Sequence, residues 1–155
     1  MNGVLTSVIA VCGTLAGSAL TYLFARLTAR RTEKAAREER HRQELIAACA
    51  EFAGSMTELR QRVVSLWFVR QLDPDGAAAR AAFTEADQSG AAADRARFAV
   101  RLLTGNPEIL RLADAAFDPV GAIRKAADRA ELREHEDRSQ EILTAFIEAA
   151  GRHLR

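Results

Sequence analysis

The sequence predicts an all-α protein, and three observations carry that prediction. Alanine, the strongest helix former, occurs 32 times, while the β-branched and aromatic residues that favour strands are sparse. Three prolines and nine glycines leave few breaks in 155 residues. Apolar residues recur at steps of three and four over long stretches, the period of a helix with one buried face. The length suits one domain. With 22 basic and 21 acidic side chains the net charge is +1, which argues against a strongly basic nucleic-acid binder. Two cysteines, Cys12 and Cys49, do not make a disulfide framework.

The first element is a transmembrane helix within residues 1–25. Residues 3–25 are uncharged and mostly apolar, and the first charged side chain is Arg26. About 20 such residues span a bilayer core as a helix, the form that satisfies its own backbone in lipid. A cleaved signal peptide would start with a basic segment and have a shorter apolar core. Within the run, Gly13 and Gly17 form a GxxxG, and Thr21 extends the same ridge. Small residues at that spacing let two backbones approach in lipid, so the motif suggests self-association, a dimer being the simplest form. The alternative is that the glycines are merely tolerated there.

A charged juxtamembrane helix follows over residues 26–44. Arg26, Arg30, Arg31 and Lys34 form a basic anchor at its start, and residues 26–42 carry a net +4 while the rest of the chain carries −3. The excess of Lys and Arg on this flank places it in the cytoplasm, with the N-terminus outside and the C-terminus inside. Such a flank also meets anionic lipid head groups. Interspersed glutamates and missing aromatics make direct nucleic-acid binding the weaker reading.

Residues 45–155 are expected to form a cytoplasmic antiparallel helical bundle. Its first face reads Leu45, Cys49, Phe52, Met56, Leu59, Val63 and Leu66, widened by Trp67, Phe68 and Val69. Trp67 and Phe68 point to different faces, which marks them as a candidate partner surface. The turn Asp73-Pro74-Asp75-Gly76 closes a long hairpin, with Gly76 expected in a left-handed conformation. The next helix, 77–103, is Ala-rich, with a face of Ala79, Ala82, Ala86, Ala93, Ala96, Val100 and Leu103, Phe83 beside it, and a kink or break at Ser89-Gly90. Asn106-Pro107 is a cap followed by the first helical residue. It starts a short helix that buries Ile109, Leu112, Ala113 and Ala116. Asp118-Pro119 repeats that signal and opens one long last helix. Val120, Ile123, Ala127, Ala130, Ile142, Phe146 and Ala150 would face inward, with a polar stretch at 131–141 that protrudes or breaks.

The sequence holds no recognisable catalytic, cofactor-binding or metal-binding set. His41, His135 and His153 make no paired ligand motif, and there is no phosphate loop or nucleophile motif. Glu131, Glu134, His135, Glu136 and Asp137 read as a solvated helix face, and Cys49 as a small core residue.

The segments VIAVCGTLAGSALTYLFARLTARRTE, HRQELIAACAEFAGSMTELRQRVVSLW and RFAVRLLTGNPEILRLADAAF resemble the KilB-like plasmid-transfer (spread) membrane proteins of Streptomyces and related actinobacterial single-span proteins. The resemblance covers most of the chain. It implies a membrane-associated accessory role in spreading conjugative plasmids between hyphae, and the missing catalytic set argues against enzymatic activity. The Ala- and Arg-rich composition fits a GC-rich actinobacterial source. A different class of function remains open beside it: a membrane-tethered helical sensor or signalling adaptor that binds a small ligand or a protein partner.

Overall fold

The structure, a computed structural model, describes the backbone of residues 2–154 and the side chains of residues 32–154. All regular structure among the described residues is helical: α1 (Asn2–Leu72), α2 (Ala77–Leu103), α3 (Pro107–Ala115), α4 (Phe117–Ile123) and α5 (Arg129–His153). The chain divides into two compact units, Met1–His41 and Arg42–Arg155. Among the described residues no helix is long and apolar enough to cross a membrane. The expected span at 3–25 lies outside the residues whose side chains are described, as do the side chains of Gly13, Gly17, Thr21, Arg26, Arg30 and Arg31.

In the first unit the described side chains belong to a solvated helix. Lys34 pairs with Glu38 at 3.7 Å and Arg37 with Glu33 at 3.7 Å, both four residues apart. Such exposed pairs each stabilise a helix by a few tenths of a kcal/mol at most, about 0.3–0.5.

The second unit is an up-down-up-down bundle in which the third position is filled by two short helices in series. The α1–α2 hairpin is antiparallel, as Arg62 meeting Glu85 at 2.7 Å shows. Pairing of Phe52 with Phe146 and of Arg60 with Gln140 sets α5 antiparallel to α1. From the end of α2, α3 and α4 run back beside α1 to the start of α5. Arg97 and Arg101 of α2 hold Asp114 of α3, at 3.3 and 2.7 Å. Arg152 of α5 holds Glu108 at 2.9 Å.

The core is built on the face read from the sequence. Leu45, Cys49, Phe52, Met56, Leu59, Val63 and Leu66 are all buried, with Ala48 and Trp67 beside them. The ring of Phe52 lies edge-on to Phe146 at 4.9 Å and tilted against Phe117 at 6.2 Å, so one aromatic joins α1, α4 and α5. Alanines from α2 complete the core, and a small-residue face lets this helix approach α1 closely.

Several local expectations are corrected. α2 runs unbroken through Ser89-Gly90. A Cβ on Gly90 would make only an ordinary contact, 3.8 Å from Leu59 Cδ1, so packing does not disturb the helix there. Gly76 is extended, with φ −68°, because it is the N-cap of α2. Its requirement is space, since a Cβ would collide with the Asp73 carboxylate. Phe83 is exposed, whereas Ala82 and Leu103 are half-buried and pack against the core on the expected face.

The last helix is two helices. Asp118 and Pro119 lie in the first turn of α4, where backbone N–H groups have no helical partner and proline loses nothing. The break falls at Arg124–Asp128, and residues 131–141 are fully helical. Asp128 causes the restart: its carboxylate accepts the N–H groups of Ala130 at 2.8 Å and Glu131 at 2.9 Å. Glu131 reaches back to accept the Ala127 N–H at 2.7 Å, which completes a variant of the capping box. Ala127 and Ala130 are therefore exposed, and Ala126, Leu132 and Leu143 take the inward positions, with Ile142 half-buried.

Candidate interaction surface

The elements converge on one end of the bundle, where the α1–α2 turn and the α4–α5 connection meet. Trp67 and Phe68 sit there on successive positions of α1 and divide the work. Trp67 is buried and its indole Nε1 donates to the Ala126 carbonyl at 2.8 Å. That bond satisfies both polar groups inside the core and ties the α4–α5 connection to α1. Phe68 is 40% exposed, stacked edge-on against Trp67 at 5.1 Å, with the Arg129 guanidinium 5.4 Å above its ring. Of this sequence-predicted pair, Phe68 alone faces solvent.

Next to this end runs a feature that the sequence reading does not find. The backbones of α2 and α4 stand apart, with Leu59 and Val63 of α1 at the bottom of the gap. The trough between them begins as an open cleft of about 350 Å3. Leu59 and Val63 form its floor, Ala86, Gly90 and Ala91 one wall, and Val120 and Gly121 the other. It adjoins, sharing Phe117, Gly121 and Arg124, a cleft of about 610 Å3 between α4 and Arg70 of α1, with Lys125 on its rim. From Arg70 it passes to a third cleft bounded by Leu66, Arg80 and Phe83. The walls are small because of glycine: nothing lies within 4 Å of where a Gly121 Cβ would be. The sequence signal was present as an Ala-rich α2 with Gly90 at its middle, but small residues read equally as close packing and as an open wall.

Charge is unevenly placed along the trough. Asp87 and Asp94 stand at the Leu59 end, with Asp94 held by Arg97 at 2.8 Å. Arg70, Arg80, Arg124 and Lys125 stand at the other end, with Asp118. Among the described residues, Arg70, Arg124 and Lys125 take part in no ion pair, whereas Arg62, Arg97, Arg101, Arg138 and Arg152 all do. Arg124 instead lies over the exposed ring of Phe83, 5.1 Å from its centroid, and so crosses the mouth of the trough.

Several other residues singled out in the sequence have structural surroundings of their own. Lys34 of the basic anchor pairs with Glu38. Cys49 is a buried thiol whose pKa is pushed up by burial, which disfavours the thiolate. His135 lies 3.6 Å from Glu131, and His153 Nδ1 lies 3.3 Å from Asn106 Nδ2. Among the described residues no group of three or more His, Cys, Asp or Glu is placed to hold a metal ion.

No curated protein and no solved structure matches the chain significantly. A model of the KilB plasmid transfer protein family matches residues 46–154. That segment takes in nearly all of the second unit, from the first turns of its core face to the end of α5. The core apart from Leu45, the trough and the capped helix starts at Asn106 and Asp128 all fall inside the match, and the chain belongs to the KilB plasmid transfer protein family.

Proposed function

We propose that this protein is a membrane-anchored interaction protein, without enzymatic activity, that acts as an accessory factor in the spread of conjugative plasmids. The observation that carries the reading is the family match across residues 46–154. The uncharged run at 3–25 and the +4 flank that follows support a single span with the C-terminus in the cytoplasm. The clefts of the bundle are open troughs on its surface rather than an enclosed chamber, which favours a protein partner over a small ligand. Direct nucleic-acid binding is disfavoured by the near-zero net charge.

The test is an in-frame deletion of the gene in a plasmid-bearing host, with plasmid spread through the recipient and plasmid copy number measured separately. The expected result is reduced spread at unchanged copy number, restored by the full chain and not by residues 42–155 alone. Normal spread in the deletion strain would refute the transfer role. A reporter that is active only outside the cytoplasm, fused after Arg155, should be silent.

A further inference from the structure

We infer that the trough between α2 and α4 is a docking site for an α-helix of a partner protein, with a small apolar face and acidic residues in its last turn. The inference rests on the reading of the chain as an interaction protein.

Four features fix the occupant. The trough, floored by Leu59 and Val63, and the adjoining cleft at Arg70 together extend along α1 for about 16 Å or three helical turns, which is the length of a short docking helix. Gly90 and Gly121 keep the walls low, so a second backbone can come close to the floor. The trough is made of helices whose backbone groups are already bonded to one another. An extended peptide would find no free backbone edge there to bond its own N–H and C=O groups, whereas a helix brings them satisfied.

Charge then fixes the direction. A helix carries partial positive charge at its N-terminus and partial negative charge at its C-terminus. The end with Arg70, Arg124 and Lys125 suits the C-terminus, and the Asp87 end suits the N-terminus. The partner helix therefore runs parallel to α1. Arg124, resting on Phe83 across the mouth, is displaced on docking and exchanges a ring face for a carboxylate. The exchange gives a stronger, charge-assisted bond.

The test uses the purified full chain in detergent micelles and two fluorescent helical peptides of about 14 residues with the same Ala/Leu face. One carries Lys in its first turn and Glu in its last, the other the reverse. The first should bind about tenfold more tightly than the second. Arg124→Glu with Lys125→Glu should abolish or invert that preference. Gly121→Leu, at a position with free space around it, should leave the helical circular dichroism unchanged and block both peptides. Equal affinities, no binding by either peptide, or binding indifferent to Gly121→Leu would overturn the proposal. So would cross-linking from position 121 that yields only a dimer of this chain, which would make the occupant a second copy. Any of these failures leaves the plasmid-spread measurement untouched, so the site and the general function are judged separately.

Discussion

Trp67 shows how one side chain can decide the path of a connection. The chain between α4 and α5 has few apolar residues, with Ala126 the buried one, yet it closes on the core because its Ala126 carbonyl accepts the indole N–H at 2.8 Å. Trp67→Phe keeps most of the buried area and leaves that carbonyl unpaired. It should cost about 1–3 kcal/mol in a thermal or urea melt. A variant as stable as the wild type would mean that water replaces the indole at no cost. Asp128 gives a second test through pH. Its carboxylate accepts two backbone N–H groups, which lower its pKa below the usual carboxylate value. A lowered native pKa means stabilisation that is complete above the unfolded value, about 3.9, and lost as pH falls through the native one. Asp128→Asn retains the acceptor oxygen and removes the titration. Urea midpoints measured from about pH 6 to about pH 2 should therefore fall more steeply for the wild type than for the variant. Superimposable profiles would contradict the cap.

At the scale of elements, some boundaries were legible in the sequence and others were not, for identifiable reasons. The start of α3 was legible because Asn106 and Pro107 give two independent signals at adjacent positions, and Asn106 Oδ1 does accept from Glu108 and Ile109, at 2.9 and 3.3 Å. The face from Leu45 to Leu66 was legible because its apolar side chains recur without interruption over six turns. The α4–α5 break was not. Asp118-Pro119 shows the same cap-then-proline pattern as Asn106-Pro107, while the true cap, Asp128, sits in a stretch already crowded with polar residues. The α2–α4 separation was also hidden, since it depends on how α3 turns at Ala116 and on no local propensity. That turn is held by Arg97, which bonds Asp94 and Asp114 and lies 4.8 Å over the Phe117 ring. Arg97→Met keeps the stem and removes the charge. It should lower stability by about 1 kcal/mol, since Arg101 still holds Asp114. An unchanged melting temperature would show that the α2–α3 ion pairs are replaceable.

For the whole molecule the open question is assembly. The proposed span carries Gly13 and Gly17 on one ridge, and close packing of backbones is the main source of association in lipid when a helix has no charged or strongly polar side chain. Gly13→Ile with Gly17→Ile should push two spans apart and reduce the dimer seen by cross-linking in membranes. An undiminished dimer would move the contact to residues 42–155, where Phe98 and Leu102 on α2, and Ile147 on α5, are exposed apolar side chains. A wild type that cross-links only as monomer would remove self-association altogether.

Trp67 is also the one tryptophan in the chain. Its indole is buried and hydrogen-bonded to the backbone that joins α4 to α5, and its ring touches Phe68. Ultraviolet excitation selective for tryptophan therefore interrogates a single place in the protein. Emission from the folded chain should be blue-shifted, as for an indole out of water, and should move to the red if the α4–α5 connection lifts from α1 before the bundle melts. Followed alongside helical circular dichroism during denaturation, the unmodified protein thus carries its own optical probe. Coincident transitions would show that the connection and the helices unfold together, and an earlier shift in emission would show that this end of the bundle opens first.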